Sequence, residues 1–155
     1  MTTDSKTTDA LLLGDFLPYR LSVLSNRISR SIADGYEGRF QLTLPEWRVM
    51  AVLGEEPDLS AGQVADRTAM DKVAVSRAVN KLLETGRIER HFANEDRRRS
   101  VLALSDKGKE VYQDIVPIAL GYEAKLLEQF SPDERQQLEA LLTKLSQSQI
   151  EVADD

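Results

Sequence analysis

The feature that most constrains the fold of this chain is a change in the spacing of its apolar residues near residue 86. Before that point, apolar side chains recur at spacings of three and four, as on one face of a helix. After it, residues 87–92 alternate between polar and apolar, and residues 100–104 form a second short apolar run. Two short strands joined by a polar loop predict a β-hairpin that directly follows a pair of helices.

Capping boxes predict where several helices begin. Each box has a serine or threonine followed three residues later by glutamate or glutamine: Thr43 and Glu46, Ser60 and Gln63, Ser131 and Glu134. Asp71 is the predicted N-cap of a further helix, which covers residues 72–85 and stops at Gly86. A long helix over about 106–130 and a last helix to about residue 148 complete the chain.

The first predicted helix covers residues 11–34, where leucines and isoleucines form an apolar stripe. Pro18 either kinks this helix or marks its first ordered turn. Gly35 and Gly38 are predicted to lie in the loop after it. The elements together predict a mainly α fold with a small β-hairpin, of the α+β class.

The chain is expected to form a single domain over residues 11–149. Residues 1–10 are polar and are expected to form a disordered arm, and residues 150–155 an acidic tail. No apolar run is long enough to span a membrane, and the first ten residues lack the apolar stretch of a signal peptide. We therefore expect a cytoplasmic protein without a membrane partner.

Composition narrows the classes of function. The chain has no cysteine and a single histidine, His91, which argues against thiol chemistry and against a zinc site. Carboxylates are scattered along the chain, and no glycine-rich phosphate loop is present. We expect neither an enzyme nor a bound metal or cofactor.

A short helix, a turn, a second helix and a hairpin follow one another in the order of a winged helix-turn-helix, whose second helix enters the DNA major groove. On a helical wheel of residues 72–85, Ala78, Val79, Leu82 and Leu83 lie within about 80° of Val75, whereas Val73 lies on the far side. Polar side chains lie opposite, and Arg77 and Asn80 among them can bind guanine and adenine. The candidate DNA-binding residues of this helix are Lys72, Val73, Ala74, Ser76, Arg77, Asn80 and Lys81.

The loop of the predicted hairpin concentrates positive charge. Residues 71–100 contain eight basic and five acidic side chains, a net charge of +3, so the rest carries -9 of the total of -6. Asp96 is predicted to orient Arg98 through paired hydrogen bonds, while Arg97 and Arg99 bind phosphates. For both this loop and the polar helix face, the alternative interpretation is a solvated surface.

These segments resemble the MarR family of bacterial regulators over about residues 11–149. Asp96-Arg97-Arg98 is one of the more specific family features, and Leu104 to Gly108 is another, with Ser105 where members usually have threonine. The residues that carry the resemblance are LTLPEWRVMAVL (42–53), LSAGQVADRTAMDKVAVSRAVNKLLETGRIER (59–90) and NEDRRRSVLALSDKGKEVY (94–112).

The resemblance implies a homodimer held together by residues 11–40 and 106–149, with residues 43–105 as the winged helix-turn-helix. It also implies a repressor that binds pseudo-palindromic double-stranded DNA and leaves it when a small aromatic effector binds, such as a phenol, a carboxylate or an acyl thioester. The candidate ligand-binding residues are Phe16, Tyr19, Arg20, Trp47 and Arg48, for which the alternative is a role in the core.

Two other classes of function stay open at this point. A winged helix can serve as a protein-interaction module without specific DNA binding, and the acidity of the chain is the strongest argument for it. A small enzyme is the third class, which the lack of clustered histidine, cysteine or paired carboxylates disfavours. The polar side chains predicted on the outer face of residues 72–85 favour DNA binding, because a protein-binding winged helix more often carries apolar residues there.

Overall fold

The structure, a computed structural model, describes residues 10–92 and 100–148. A 3-10 turn at Leu13–Asp15 precedes the main elements: α1 (Leu17–Phe40), α2 (Leu44–Glu55), α3 (Ala61–Thr68), α4 (Lys72–Glu84), β1 (Ile88–Phe92), β2 (Ser100–Leu104), α5 (Asp106–Leu127) and α6 (Pro132–Ser146). The predicted mainly α fold with a β-hairpin is confirmed. Three predictions lie outside the described residues: the N-terminal arm up to residue 9, the charged loop with Asp96, Arg97, Arg98 and Arg99, and the acidic tail.

The helix starts agree with the sequence. Thr43, Ser60 and Ser131 each accept a hydrogen bond from the backbone N–H three residues later, and the glutamate or glutamine at that position bonds back to the cap. The carboxylate of Asp71 accepts from the N–H of Ala74 at 2.9 Å. Local hydrogen bonding therefore sets the first turns of α2, α3, α4 and α6.

The end of α1 differs from the prediction. The helix continues through Gly35 and Gly38 to Phe40 and stops at Gln41, whose φ of 54° is left-handed. Tyr36 is fully buried in this last part, and its burial outweighs the roughly 1 kcal/mol that each glycine costs in a helix. Pro18 lies in the first turn of α1, where its missing N–H has no partner to lose.

The hairpin is antiparallel, with Ile88 opposite Leu104 and Phe92 opposite Ser100. The residues before α3 extend it. The N–H of Leu102 donates to the carbonyl of Leu59 at 2.7 Å, and the N–H of Asp58 donates to the carbonyl of Leu102 at 3.1 Å. This short bridge, which the sequence did not predict, attaches the base of the hairpin to the start of α3.

The chain forms two compact units, the first ending at Ile115 and the second starting at Val116, within α5. The described core residues all belong to the first unit, and the largest fully buried ones are Tyr36, Leu42, Met50, Leu53, Leu82, Leu102 and Ile115. In the second unit, α6 has no buried residue. Among the described residues, no helix is long and apolar enough to cross a membrane, and no histidine and carboxylate group could hold a metal.

Candidate nucleic-acid interface

The turn between α3 and α4 consists of three residues, Ala69 to Asp71. Ala69 leaves α3 in the left-handed conformation, with φ at 52°, and Asp71 then caps α4. On α3 itself, Val64 and Ala65 are buried, so this helix is fixed against the core. The result is a helix-turn-helix in which the second helix starts from a fixed point.

The two faces that the helical wheel predicts for α4 are confirmed. Its core side consists of Val75, Ala78, Val79 and Leu82, each at most 4% exposed. The predicted outer residues are exposed, namely Lys72, Val73, Ser76, Arg77, Asn80 and Lys81. Ala74 differs, since it is half-buried beside the cap. Within the described residues, Arg77 and Asn80 have no side-chain hydrogen bond or ion pair, so their donors are available to a ligand.

The end of α4 is a Schellman motif. Gly86 has a φ of 73°, its N–H donates to the carbonyl of Leu83 at 3.2 Å, and the N–H of Arg87 donates to the carbonyl of Leu82 at 2.9 Å. A side chain at position 86 would be strained, because residues other than glycine rarely adopt this φ. The helix therefore has defined hydrogen bonds at both ends.

The hairpin strand that follows α4 in the chain exposes further side chains. Arg90 is exposed and donates to the hydroxyl of Ser100 at 3.4 Å. His91, the single histidine, lies 3.3 Å from the carboxylate of Glu89 on the exposed surface. Phe92 is 61% exposed at the end of β1. The exposure of Arg90 and Phe92 follows from the hairpin register, which the sequence alone does not give.

A group of aromatic side chains surrounds Trp47 on α2. The Trp47 ring lies 5.8 Å from that of Tyr36 and is stacked 5.9 Å from that of Tyr112. Gly54 makes room for this arrangement, because a Cβ there would stand 2.6 Å from the Tyr112 ring. Next to Trp47, the guanidinium of Arg48 donates to the hydroxyl of Ser29 at 3.2 Å.

The hydroxyl of Tyr36 is buried and has no hydrogen-bond partner among the described residues. Burial, the largest cause, and the negative charge of Glu37 together raise the pKa of Tyr36 to about 12, while the positive charge of Arg48 opposes the shift. A buried donor without a partner is uncommon, since each costs about 1–3 kcal/mol.

The five predicted ligand-binding residues fall into two groups within one chain. Arg48 bonds to Ser29 and Trp47 precedes it on α2, whereas Phe16, Tyr19 and Arg20 are exposed at the start of α1. Arg20 precedes Ser29 by nine residues, roughly 14 Å along a helix. Ser29, Tyr36 and Tyr112 could not be assigned to this group beforehand, because nothing local in the sequence indicates that they meet Trp47 and Arg48.

The helix-turn-helix, the antiparallel hairpin after it and the exposed polar face of the second helix define a winged-helix DNA-binding protein. Comparison with known proteins places it more closely. The model of the MarR family matches residues 40–99. A curated relative, the HTH-type transcriptional regulator BilQ of Clostridium symbiosum (strain WAL-14163), is 30% identical over 96 residues, which are 62% of this chain and 67% of the relative.

Solved structures agree with this assignment. The crystal structure of a MarR/EmrR family transcriptional regulator from Acinetobacter sp. ADP1 is 32% identical, with a TM-score of 0.80 over 88% of this chain and 96% of the other. A structure concerned with regulation of DNA binding of Bordetella bronchiseptica BpsR by 6-hydroxynicotinic acid shares the fold at 20% identity, with a TM-score of 0.77 over 90% and 99% of the two chains. The chain belongs to the MarR family of transcriptional regulators, which are not enzymes.

Proposed function

We propose that this protein is a homodimeric repressor that binds a pseudo-palindromic DNA operator through α4. The observation that carries the proposal is the exposed polar face of α4, formed by Ser76, Arg77 and Asn80 opposite a fully packed apolar face. An arginine can donate two hydrogen bonds to guanine, and an asparagine can pair with adenine in the major groove. Because both ends of α4 are capped, its backbone should lose little conformational entropy on binding.

Charges around α4 favour contacts with the DNA backbone. Lys72 and Lys81 are exposed at its two ends, and the loop arginines Arg97, Arg98 and Arg99 are assigned to the adjacent phosphates and minor groove, with Asp96 orienting Arg98. Residues 71–100 carry a net charge of +3 in a chain of -6. We expect a local electrostatic footprint and repulsion of DNA from the rest of the molecule.

Exposed leucines support the proposed homodimer. The early part of α1 exposes Leu17, Leu21 and Leu24, and α6 exposes Leu138, Leu141, Leu142 and Leu145. Such stripes are unusual in a monomer and are typical of surfaces that bury against a partner. We therefore assign dimerisation to residues 11–40 and 106–149. Two-fold symmetry then places two α4 helices about one DNA turn apart on two half-sites.

We further propose that a small aromatic acid releases the DNA. The site would include Trp47, whose ring can stack on the ligand, and Arg48, whose guanidinium can bind a carboxylate. The unpartnered hydroxyl of Tyr36 lies in the same group and supports this location. Phe16, Tyr19 and Arg20 lie farther along α1 than a single-ring ligand extends, so their predicted role requires that the second chain of the dimer supply them.

Binding to DNA from upstream of its own gene, compared with shuffled DNA, tests the proposal. Fluorescence anisotropy over a salt series should show selective binding that weakens steeply as salt rises. Addition of hydroxylated aromatic acids should then lower the affinity. Equal binding to both DNAs, with and without these acids, would contradict specific DNA recognition and would favour a protein-interaction module.

A further inference from the structure

Three helix ends meet at Arg87, the residue between α4 and β1. Its guanidinium Nη2 donates a hydrogen bond to the carbonyl of Phe40, the last residue of α1. Helix carbonyls in the last turn lack intrahelical partners and carry partial negative charge, so a guanidinium is favourable there. The side chain of Arg87 thus bonds to the end of α1, 47 positions earlier in the chain.

The backbone of Arg87 bonds to two other elements. Its N–H closes the Schellman motif of α4 on the carbonyl of Leu82, at 2.9 Å. Its carbonyl accepts from the N–H of Ser105, immediately before α5, at 3.1 Å. One residue therefore contacts the C-terminus of α1, the C-terminus of α4 and the N-terminus of α5.

Neighbouring bonds make this junction rigid. The hydroxyl of Ser105 donates to the carbonyl of Gly86 at 2.6 Å and accepts from the N–H of Gly108 at 3.0 Å. The ammonium of Lys107 donates to the carbonyl of Thr85 at 3.0 Å. Gly108 leaves no space, because a Cβ there would stand 1.8 Å from the carbonyl oxygen of Arg87. The end of α4 cannot turn relative to α5 unless several of these bonds break.

The side chain of Arg87 joins α1 to this junction. The guanidinium is half-buried, and its Nε is buried without a hydrogen-bond partner among the described residues. Burying such a donor costs free energy, and a side chain that extended into solvent would avoid this cost. Its observed path across the molecule is explained by the bond to Phe40.

We propose that Arg87 is a positioning residue that fixes the orientation of α4 relative to the end of α1. Arg87 does not lie on the outer face of α4 and contacts no base in this proposal. It acts through α4, and its effect on DNA affinity rests on the proposed function of that helix. A displacement of α1 would reach α4 through this side chain.

Distances within one chain test the proposal without DNA. The chain has no cysteine, so Glu37→Cys on α1 and Glu84→Cys on α4 introduce two unique spin-label sites at exposed positions. Labelled chains are mixed with an excess of unlabelled chains, so that electron–electron double resonance reports distances within a chain. We expect one narrow distribution for the parent protein and a broader or displaced one for Arg87→Met. Arg87→Lys should restore it in part, because an ammonium can still donate to Phe40.

Arg39→Met is the matched control. Arg39 lies in the last turn of α1, with its guanidinium 4.8 Å above the Phe40 ring, and its loss removes the same charge without breaking the junction. This variant should keep the parent distances. Arg87→Met should also weaken operator binding by roughly two- to thirtyfold, whereas Arg39→Met should not.

A folded Arg87→Met protein with parent distances would overturn the proposal, whatever its DNA affinity. If that variant does not fold, Arg87→Gln replaces it, because the glutamine amide is too short to reach the carbonyl of Phe40. Parent distances in a folded Arg87→Gln protein would overturn the proposal equally. Failure of the proposed function looks different. In that case the parent protein lacks selective DNA binding, while the distance measurements still decide the role of Arg87.

Discussion

Two helices of similar length, α4 and α6, each carry an apolar stripe but differ greatly in burial. The 13-residue α4 buries its apolar side fully, with Val75, Ala78, Val79 and Leu82 in the core. The 15-residue α6 leaves four leucines 37–65% exposed, namely Leu138, Leu141, Leu142 and Leu145. An amphipathic pattern shows that a helix has a side to bury, but it does not say whether the covering surface belongs to the same chain.

The largest effect is expected from a charge in the stripe of α6. Leu141→Glu should separate the proposed dimer, because two-fold symmetry counts the substitution twice and each buried leucine contributes about 1.5–3 kcal/mol. Analytical ultracentrifugation would measure the change in dissociation constant. Gln136→Glu adds the same charge on the opposite side of α6 and should leave association unchanged. A Leu141→Glu protein that stays dimeric would exclude this stripe from the interface.

In the packed first unit, adding a single methyl group at Gly108 should already lower stability. Gly108→Ala places a Cβ 1.8 Å from the carbonyl oxygen of Arg87 and should lower the free energy of unfolding by about 3 kcal/mol. Gly121→Ala is the control on the same helix, where a Cβ meets nothing within 4 Å and alanine should stabilise by about 1 kcal/mol. Chemical denaturation would measure both. Equal effects of the two substitutions would contradict the close packing at Gly108.

The outer face of α4 should affect DNA binding and leave the fold intact. Arg77→Ala should weaken operator binding by about 1–3 kcal/mol and relax the preference at one base pair in each half-site. Binding assays on operator variants would measure this, with the thermal midpoint as a check on folding. A uniform loss on every sequence would instead indicate a phosphate contact.

The smallest effect is expected at the buried hydroxyl of Tyr36. Tyr36→Phe should raise stability by about 1 kcal/mol, because it removes a donor without a partner. The pKa of Tyr36 is about 12 in the folded protein and 10.0 in its ordinary state, so the parent protein should lose stability between these pH values. Below pH 10 this contribution is fully present. Denaturation at pH 8 and pH 11 should show a loss that is smaller in the Phe variant.

The helix starts and the faces of α4 could be predicted because the interactions that determine them are local. A capping box needs two side chains three residues apart, and a helical wheel needs only the order of residues. The sequence also indicated the hairpin from a change of period. The DNA-binding and ligand-binding roles of the individual residues remain predictions.

Features that depend on contacts between residues far apart in the chain could not be predicted from the sequence. The glycines at 35 and 38 suggested a loop, but the packing of Tyr36 keeps α1 helical to Phe40. Trp47 meets Tyr112 only because Gly54 leaves space between α2 and α5. The alternation over residues 87–92 predicts a strand position for Arg87, whereas its bond to Phe40 follows only from the folded chain.

The proposed association of two chains through the exposed leucines of α6 would make the concentration of the protein a factor in its stability. A surface that is covered only when two chains meet contributes according to mass action. Each tenfold rise in protein concentration then favours the dimer by about 1.4 kcal/mol. In a cell, the number of copies of such a regulator would set how many are assembled and able to occupy two half-sites at once.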